Sequence, residues 1–275
     1  MTAGNTLVHT VKSKDGTLIA YDTLGRGPAV VFVGGAFSYR KFPHNLALAQ
    51  LLADRFTVFW YDRRGRGDSG DTAPYRVERE LEDLDALLQA AGGSAHVYGM
   101  SSGAALAALA AARGAHITKL ALYEPPYMVG DVGHRPPPDH DAQLKALLAR
   151  GRRGAAVSFF LTEVMGAPWF LPLVMRVTPF WPRLKAVAHT LPYDTAVLGG
   201  DFAFPASTIA SIRVPTLIAA GEKSPTVLRE AARAVARTLP GVRHRELAGQ
   251  SHNVSMEALA PVLREFFESG TPSLP

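Results

Sequence analysis

Short apolar runs alternate with stretches of helical periodicity along most of this chain, and that alternation restricts the fold more than any other feature. "PAVVFVGG", "FTVFWYD", "AHVYGM", "ITKLALYE" and "PTLIAAG" are continuous apolar runs of strand length. A run with no polar alternation predicts a strand buried on both faces. Between them lie helical patterns. "VERELEDLDALLQAAG" carries Leu81, Leu84, Leu87 and Leu88 at the three-and-four spacing of an amphipathic helix, and glycines end it. "LALAQLLADR", "SGAALAALAAARG", "TVLREAARAVARTL" and "VSMEALAPVLREFFE" also predict helices. At the start, "TLVHTVKS" and "TLIAYDTLG" flank "KDG" and predict a hairpin. Strands alternating with helices imply an α/β chain, with a mostly parallel central sheet flanked by helices on both faces.

The rhythm breaks once. From residue 125 to 204 the chain is rich in proline, tryptophan and phenylalanine and shows no clear strand. This predicts a helical insertion over 125–204, placed after the sixth strand, and a core built from 1–124 and 205–275.

Composition removes several classes of chemistry. The 275 residues include no cysteine, which excludes disulfides, zinc–thiolate sites and a cysteine nucleophile. The net charge is +5, but the arginines are scattered. The two tight groups, Arg63, Arg64 and Arg66, and Arg150, Arg152 and Arg153, are not interleaved with aromatics. They read as solvated turns and helix faces, so no nucleic-acid partner is expected. No apolar run is long enough to span a bilayer, and "MTAGNTLVHTVKSKDG" lacks a secretory pattern. No membrane partner and a cytoplasmic location are therefore expected. The chain has no phosphate loop, dinucleotide fingerprint or metal-ligand spacing, so no cofactor and no metal are expected.

One short motif carries chemistry. "GMSSG", Gly99 to Gly103, fits G-x-S-x-G with Ser101 at its centre, between a predicted strand and a predicted helix. There it would set the hydroxyl on a tight turn, beside the backbone N–H of Ser102 at the helix N-terminus. With this motif the chain resembles the α/β-hydrolase fold superfamily. The likeness extends from "DGTLIAYDTLGRGPAVVFVGG" to "LREFF" and takes in "YDRRGRGDS", "VPTLIAAGE" and "LAGQSHNVS". It implies the α/β-hydrolase fold with a helical lid inserted after strand 6.

The resemblance also implies site roles. Ser101 is the expected nucleophile, and the base is expected in the loop after the last strand, which singles out His252. The acid usually follows the seventh strand, but Ser224 stands there. Glu124, at the end of "LALYE", is the best replacement, because some haloalkane dehalogenases, relatives of the same architecture, carry their acid at the end of this strand. Glu222 is the second choice. The oxyanion donors are expected to be the N–H groups of Ala36 and Ser102, with Gly34 where a histidine often stands. Phe37, Phe160, Trp169 and Trp181 are expected to border an apolar pocket for a small hydrophobic carbonyl substrate.

These expectations describe a serine hydrolase acting on an ester, lactone or thioester without a cofactor. A serine at the elbow argues against chemistry that needs a carboxylate nucleophile. Two alternatives stay open at this point: a cyclase, lyase or acyltransferase on the same scaffold, and a ligand-binding sensor. A homodimer is also left open.

Overall fold

The computed structural model describes residues 8–131 and 133–270. The outer ends of the expected core, 1–7 and 271–275, and residue 132 of the expected insertion lie outside the described residues. Eight strands form one sheet in the order β1-β2-β4-β3-β5-β6-β7-β8. β1 (His9–Lys12) and β2 (Leu18–Gly25) form the hairpin read from "KDG". β2 pairs antiparallel with β4 (Thr57–Tyr61). From there the sheet is parallel: β4 to β3 (Ala29–Val33), β3 to β5 (Ala95–Met100), then β6 (Ile117–Tyr123), β7 (Thr216–Gly221) and β8 (Arg243–Leu247).

Each face of the sheet has its own core. On one side α1 (Pro43–Leu52) and α11 (Met256–Glu268) pack on Phe32, Trp60, Tyr98 and Leu217. On the other lie α2 (Val77–Ala90), α3 (Ser102–Ala112) and α10 (Thr226–Thr238). α3 is almost all alanine on its buried surface, and these small side chains let it lie close against β5 and β6.

Between β6 and β7 the chain leaves the sheet for a run of short helices. They begin with α4 (His140–Ala149) and α5 (Arg153–Phe159), followed by a π-helical turn at Phe160–Val164. Then come α6 (Leu171–Met175), α7 (Trp181–Val187), α8 (Leu191–Leu198) and α9 (Ala206–Ala210). Prolines at the starts of α6, α7 and α8 set φ for a helix and lack the N–H that no helix could use there. α8 packs on α3, so the insertion sits over the helix that follows the G-x-S-x-G motif.

Candidate active site

The turn at Ser101 is held by steric necessity. Ser101 has φ 56° and ψ −128°, a conformation side chains rarely adopt. A methyl group on Gly99 would lie 2.6 Å from the Gly103 carbonyl oxygen, and one on Gly103 would lie 2.2 Å from that of Val33. Only glycine fits at either position, which is why the strand can turn into the helix so abruptly. The Ser101 N–H donates to the Tyr123 carbonyl at 2.9 Å, so the turn is also tied to the adjacent strand. Ser101 itself is buried, at 7 % exposure.

Strain is concentrated here. Among the described residues four non-glycine residues have positive φ: Phe37, Ser101, Glu124 and Phe202. Three of them are residues expected at the site from sequence. Backbone kept in such a conformation has to be over-determined by its surroundings, and functional sites are where this is common.

Glu124 is fully buried at the end of β6, and its two carboxylate oxygens have separate partners. Oε1 accepts the Gly221 N–H at 2.7 Å, and Oε2 lies 2.6 Å from His252 Nδ1. A carboxylate only accepts, so Nδ1 carries the proton and donates it to Glu124. Nε2 of His252 is then left with a lone pair, the form a general base requires. The structure thus joins His252 to Glu124. Glu222 is placed elsewhere: its Oε2 accepts the Gly249 N–H at 2.8 Å, and it makes no bond to the histidine. Ser224 is buried and likewise makes no hydrogen bond to His252. No hydrogen bond joins Ser101 to His252 among the described residues; such bonds commonly tighten only when substrate is bound.

The loop after β3, where oxyanion donors are expected, falls beside the turn. A Cβ built on Gly35 would meet Ser101 Cβ at 2.9 Å. Among the described residues the N–H groups of Ala36 and Ser102 have no partner, whereas the neighbouring Ser101 and Ala104 N–H groups do. Gly34 has its own explanation. A Cβ there would lie 2.5 Å from Ser38 Oγ, so a histidine would collide with this loop. Phe37 meets Phe160 of the insertion edge-on, with ring centroids 5.5 Å apart.

The two tryptophans are placed differently from expectation. Trp169 is 76 % exposed on the outside of the insertion, with its ring against Phe170. It follows Pro168 in a segment too broken by prolines to turn its apolar side inward. Trp181 is buried, but it borders an outer groove under the Arg176 guanidinium rather than the Ser101 turn.

A second correction concerns the arginines after β4. Read as solvated from sequence, Arg63, Arg64 and Arg66 are completely buried. Arg63 forms a two-toothed pair with Glu80, at 2.5 and 2.6 Å, and reaches Asp194 Oδ1 at 2.7 Å. Arg66 reaches Asp194 Oδ2 at 2.7 Å, the Gly35 carbonyl at 2.7 Å and the Ser38 carbonyl at 3.0 Å. Arg64 pairs with Asp83. The reason is charge balance at long range. Two arginines meet two carboxylates, one from α2 and one from α8, and buried charges persist only when paired in this way.

Asp194 is the site residue that sequence reading missed. Its Oδ1 also accepts from Ser102 Oγ at 2.7 Å. Burial alone would raise its carboxyl pKa, but Arg66, Arg63 and the Ser102 hydroxyl outweigh burial and hold it below the ordinary range. Only pairing across 131 residues reveals this aspartate, and "LPYDTAVL" gives no local sign of it.

Comparison with known proteins agrees with this architecture. Residues 30–264 match the model of the alpha/beta hydrolase family. A crystal structure of an alpha/beta hydrolase from Sphaerobacter thermophilus DSM 20745 is 54% identical, with a TM-score of 0.89 over 94% of this chain and 100% of that one. The enol-lactonase from Burkholderia xenovorans LB400 shares the fold at 19% identity, with a TM-score of 0.70 over 95% of this chain and 100% of that one. A hydrolase from Pseudomonas aeruginosa PA01 does so at 22% identity and 0.73, over 98% and 100%. This chain belongs to the alpha/beta hydrolase family.

Proposed function

We propose that the protein is a serine hydrolase that opens an ester, lactone or thioester of a small hydrophobic molecule through an acyl-enzyme. The observation that carries this reading is the 2.6 Å pairing of His252 with a fully buried Glu124, next to a serine held at φ 56°. Glu124 fixes the imidazole tautomer and stabilises its charged form. His252 Nε2 takes the proton of Ser101 as Oγ attacks the carbonyl carbon. The charge that develops on the carbonyl oxygen is met by the N–H groups of Ala36 and Ser102. His252 then gives its proton to the departing oxygen or sulfur. In the second half, Nε2 takes a proton from water, the hydroxide attacks the acyl carbon, and the proton returns to Ser101 Oγ.

An uncharged, apolar substrate is supported by the surroundings. Phe37 and Phe160 meet beside the turn, and the nearby arginines are already neutralised by Glu80 and Asp194.

The experiment is reaction with a fluorophosphonate, followed by intact mass and peptide mapping. One adduct on Ser101, absent in Ser101→Ala, is the expected result. A folded protein that takes no adduct while a small probe enters the site would sink the reading. Hydrolysis of an ester and lactone panel would then define the substrate.

A further inference from the structure

Exposed apolar side chains are unevenly distributed on this protein. Twelve large hydrophobic side chains stand out in water among the described residues, and seven of them fall within residues 165–180. Val177 is 87 % exposed, Val174 55 %, and Phe170, Leu173 and Phe180 about half; Trp169 was described above. Single exposed hydrophobics are ordinary, but a concentrated group needs a partner. Here the chain cannot hide them. Pro168, Pro172, Pro179 and Pro182 break the segment into short pieces, so no long helix forms to bury one apolar stripe.

The charges around this patch have one sign. From residue 150 to 190 the chain carries six arginines and lysines and one carboxylate, Glu163. Arg176 lies inside the apolar run with its guanidinium 5.6 Å from the Trp181 ring centre, and Arg183 lies 5.8 Å from that of Phe180. Next to Trp181 an open groove of about 820 Å³ is bounded by Arg152, Arg153, Arg176 and Lys185. None of these five cations pairs with a carboxylate among the described residues; Arg153 and Arg176 reach only the Ala186 carbonyl and Ser158 Oγ. Some arginines elsewhere on the surface are paired, as Arg113 with Asp85 and Arg264 with Asp54 show, while Arg26, Arg213 and Arg237 stand without a carboxylate singly rather than in a group.

We infer that this face of the insertion docks on an anionic phospholipid surface. Trp169, Phe170 and Val177 would enter the boundary between headgroups and acyl chains, where tryptophan and phenylalanine are favoured. Arg152, Arg153, Arg176, Arg183 and Lys185 would meet the phosphates. Attachment is peripheral, since no described helix is long and apolar enough to cross a membrane. A second copy of the chain fits less well. Two-fold pairing through the patch uses the same surface of both copies, so it would gather two sets of unpaired cations, Arg176 and Arg183 among them, in one interface without a complementary acidic surface. An anionic membrane surface as partner replaces the expectation, made from the lack of a long apolar run, that no membrane takes part.

The test is co-sedimentation of the whole protein with vesicles of phosphatidylcholine alone or mixed equally with phosphatidylglycerol. Expected is at least about tenfold stronger partition into the mixed vesicles, weakened by added salt. Arg176→Glu with Arg183→Glu should remove the preference for phosphatidylglycerol. Trp169→Ser with Val177→Ser should weaken binding to the mixed vesicles, and all four positions are exposed, so folding is checked by circular dichroism. Equal partition into both vesicles, or none, overturns the inference. So does a dimer in sedimentation equilibrium that Val177→Ser dissociates while vesicle binding is absent.

Discussion

Ser102 donates its side-chain hydroxyl to Asp194 at 2.7 Å, and this bond ties the first residue of α3, the helix after Ser101, to a helix of the insertion 92 residues later. The same carboxylate receives Arg63 and Arg66, and Arg66 in turn grips the carbonyls of Gly35 and Ser38. One buried aspartate thereby locks together the Ser101 turn, the Gly35–Ser38 loop and the insertion.

Replacing Asp194 should therefore be costly. Asp194→Asn leaves buried Arg63 with Glu80 alone and buried Arg66 with no carboxylate partner. Breaking such a buried network is expected to destabilise the fold by about 3–5 kcal/mol. Urea unfolding followed by tryptophan fluorescence measures it, and a loss under about 1 kcal/mol would mean that the network is close to neutral.

Glu124 and Glu222 should separate cleanly. Glu124→Gln keeps the shape but removes the charge beside His252, and about a 10⁴-fold loss of kcat is expected. Glu222→Gln removes a charge but keeps an oxygen that can accept the Gly249 N–H, and should stay close to wild type. Ester turnover by both variants decides it; equal, small effects would remove Glu124 from its proposed role.

The glycines at the elbow give a steric prediction. Gly103→Ala places a methyl 2.2 Å from a backbone carbonyl that cannot move aside, so a loss of about 1–3 kcal/mol or failure to fold is expected. Gly200→Ala, where no atom lies within 4 Å, serves as the control and should leave the melting temperature unchanged.

Acid should weaken the fold through His96. Its ring is stacked on Phe267 at 4.9 Å and packs edge-on against Phe56. Burial, with Lys119 adding to it, lowers its pKa to about 4 from 6.5. Between these values the unfolded chain holds a proton that the folded chain does not, so stability falls as pH drops from about 6.5 toward 4. Denaturation at several pH values should show this slope. His96→Phe should flatten it; an unchanged slope would assign the effect to other groups.

Much of the architecture could be read from the sequence because it rests on local signals. Continuous apolar runs marked β3 to β7, leucine spacing marked α2, and Gly99 and Gly103 marked the turn at Ser101. The pairing expected of His252 and Glu124 came from resemblance, and the geometry brings those two side chains together. What stayed hidden depends on distant chain. Arg63 looks like a surface arginine until Glu80 and Asp194 arrive from α2 and α8. Trp169 looks like a pocket residue until the prolines around it are seen to leave its ring outside. Charge pairing and facing are set by tertiary packing, and a linear pattern carries neither.

The position of Glu124 has a mechanical consequence. Glu124 is the last residue before the chain departs into the insertion, through Pro125 and Pro126, and its own N–H is pinned to Ala219 of β7. An acid placed after β7 would be insulated from that departure. Here the stiff two-proline stem roots the insertion in the residue that orients His252, while Asp194 tethers its far end to Ser102. The insertion is thereby fastened at two points, at Glu124 and at Ser102, so its seating is coupled to the backbone on either side of the Ser101 turn.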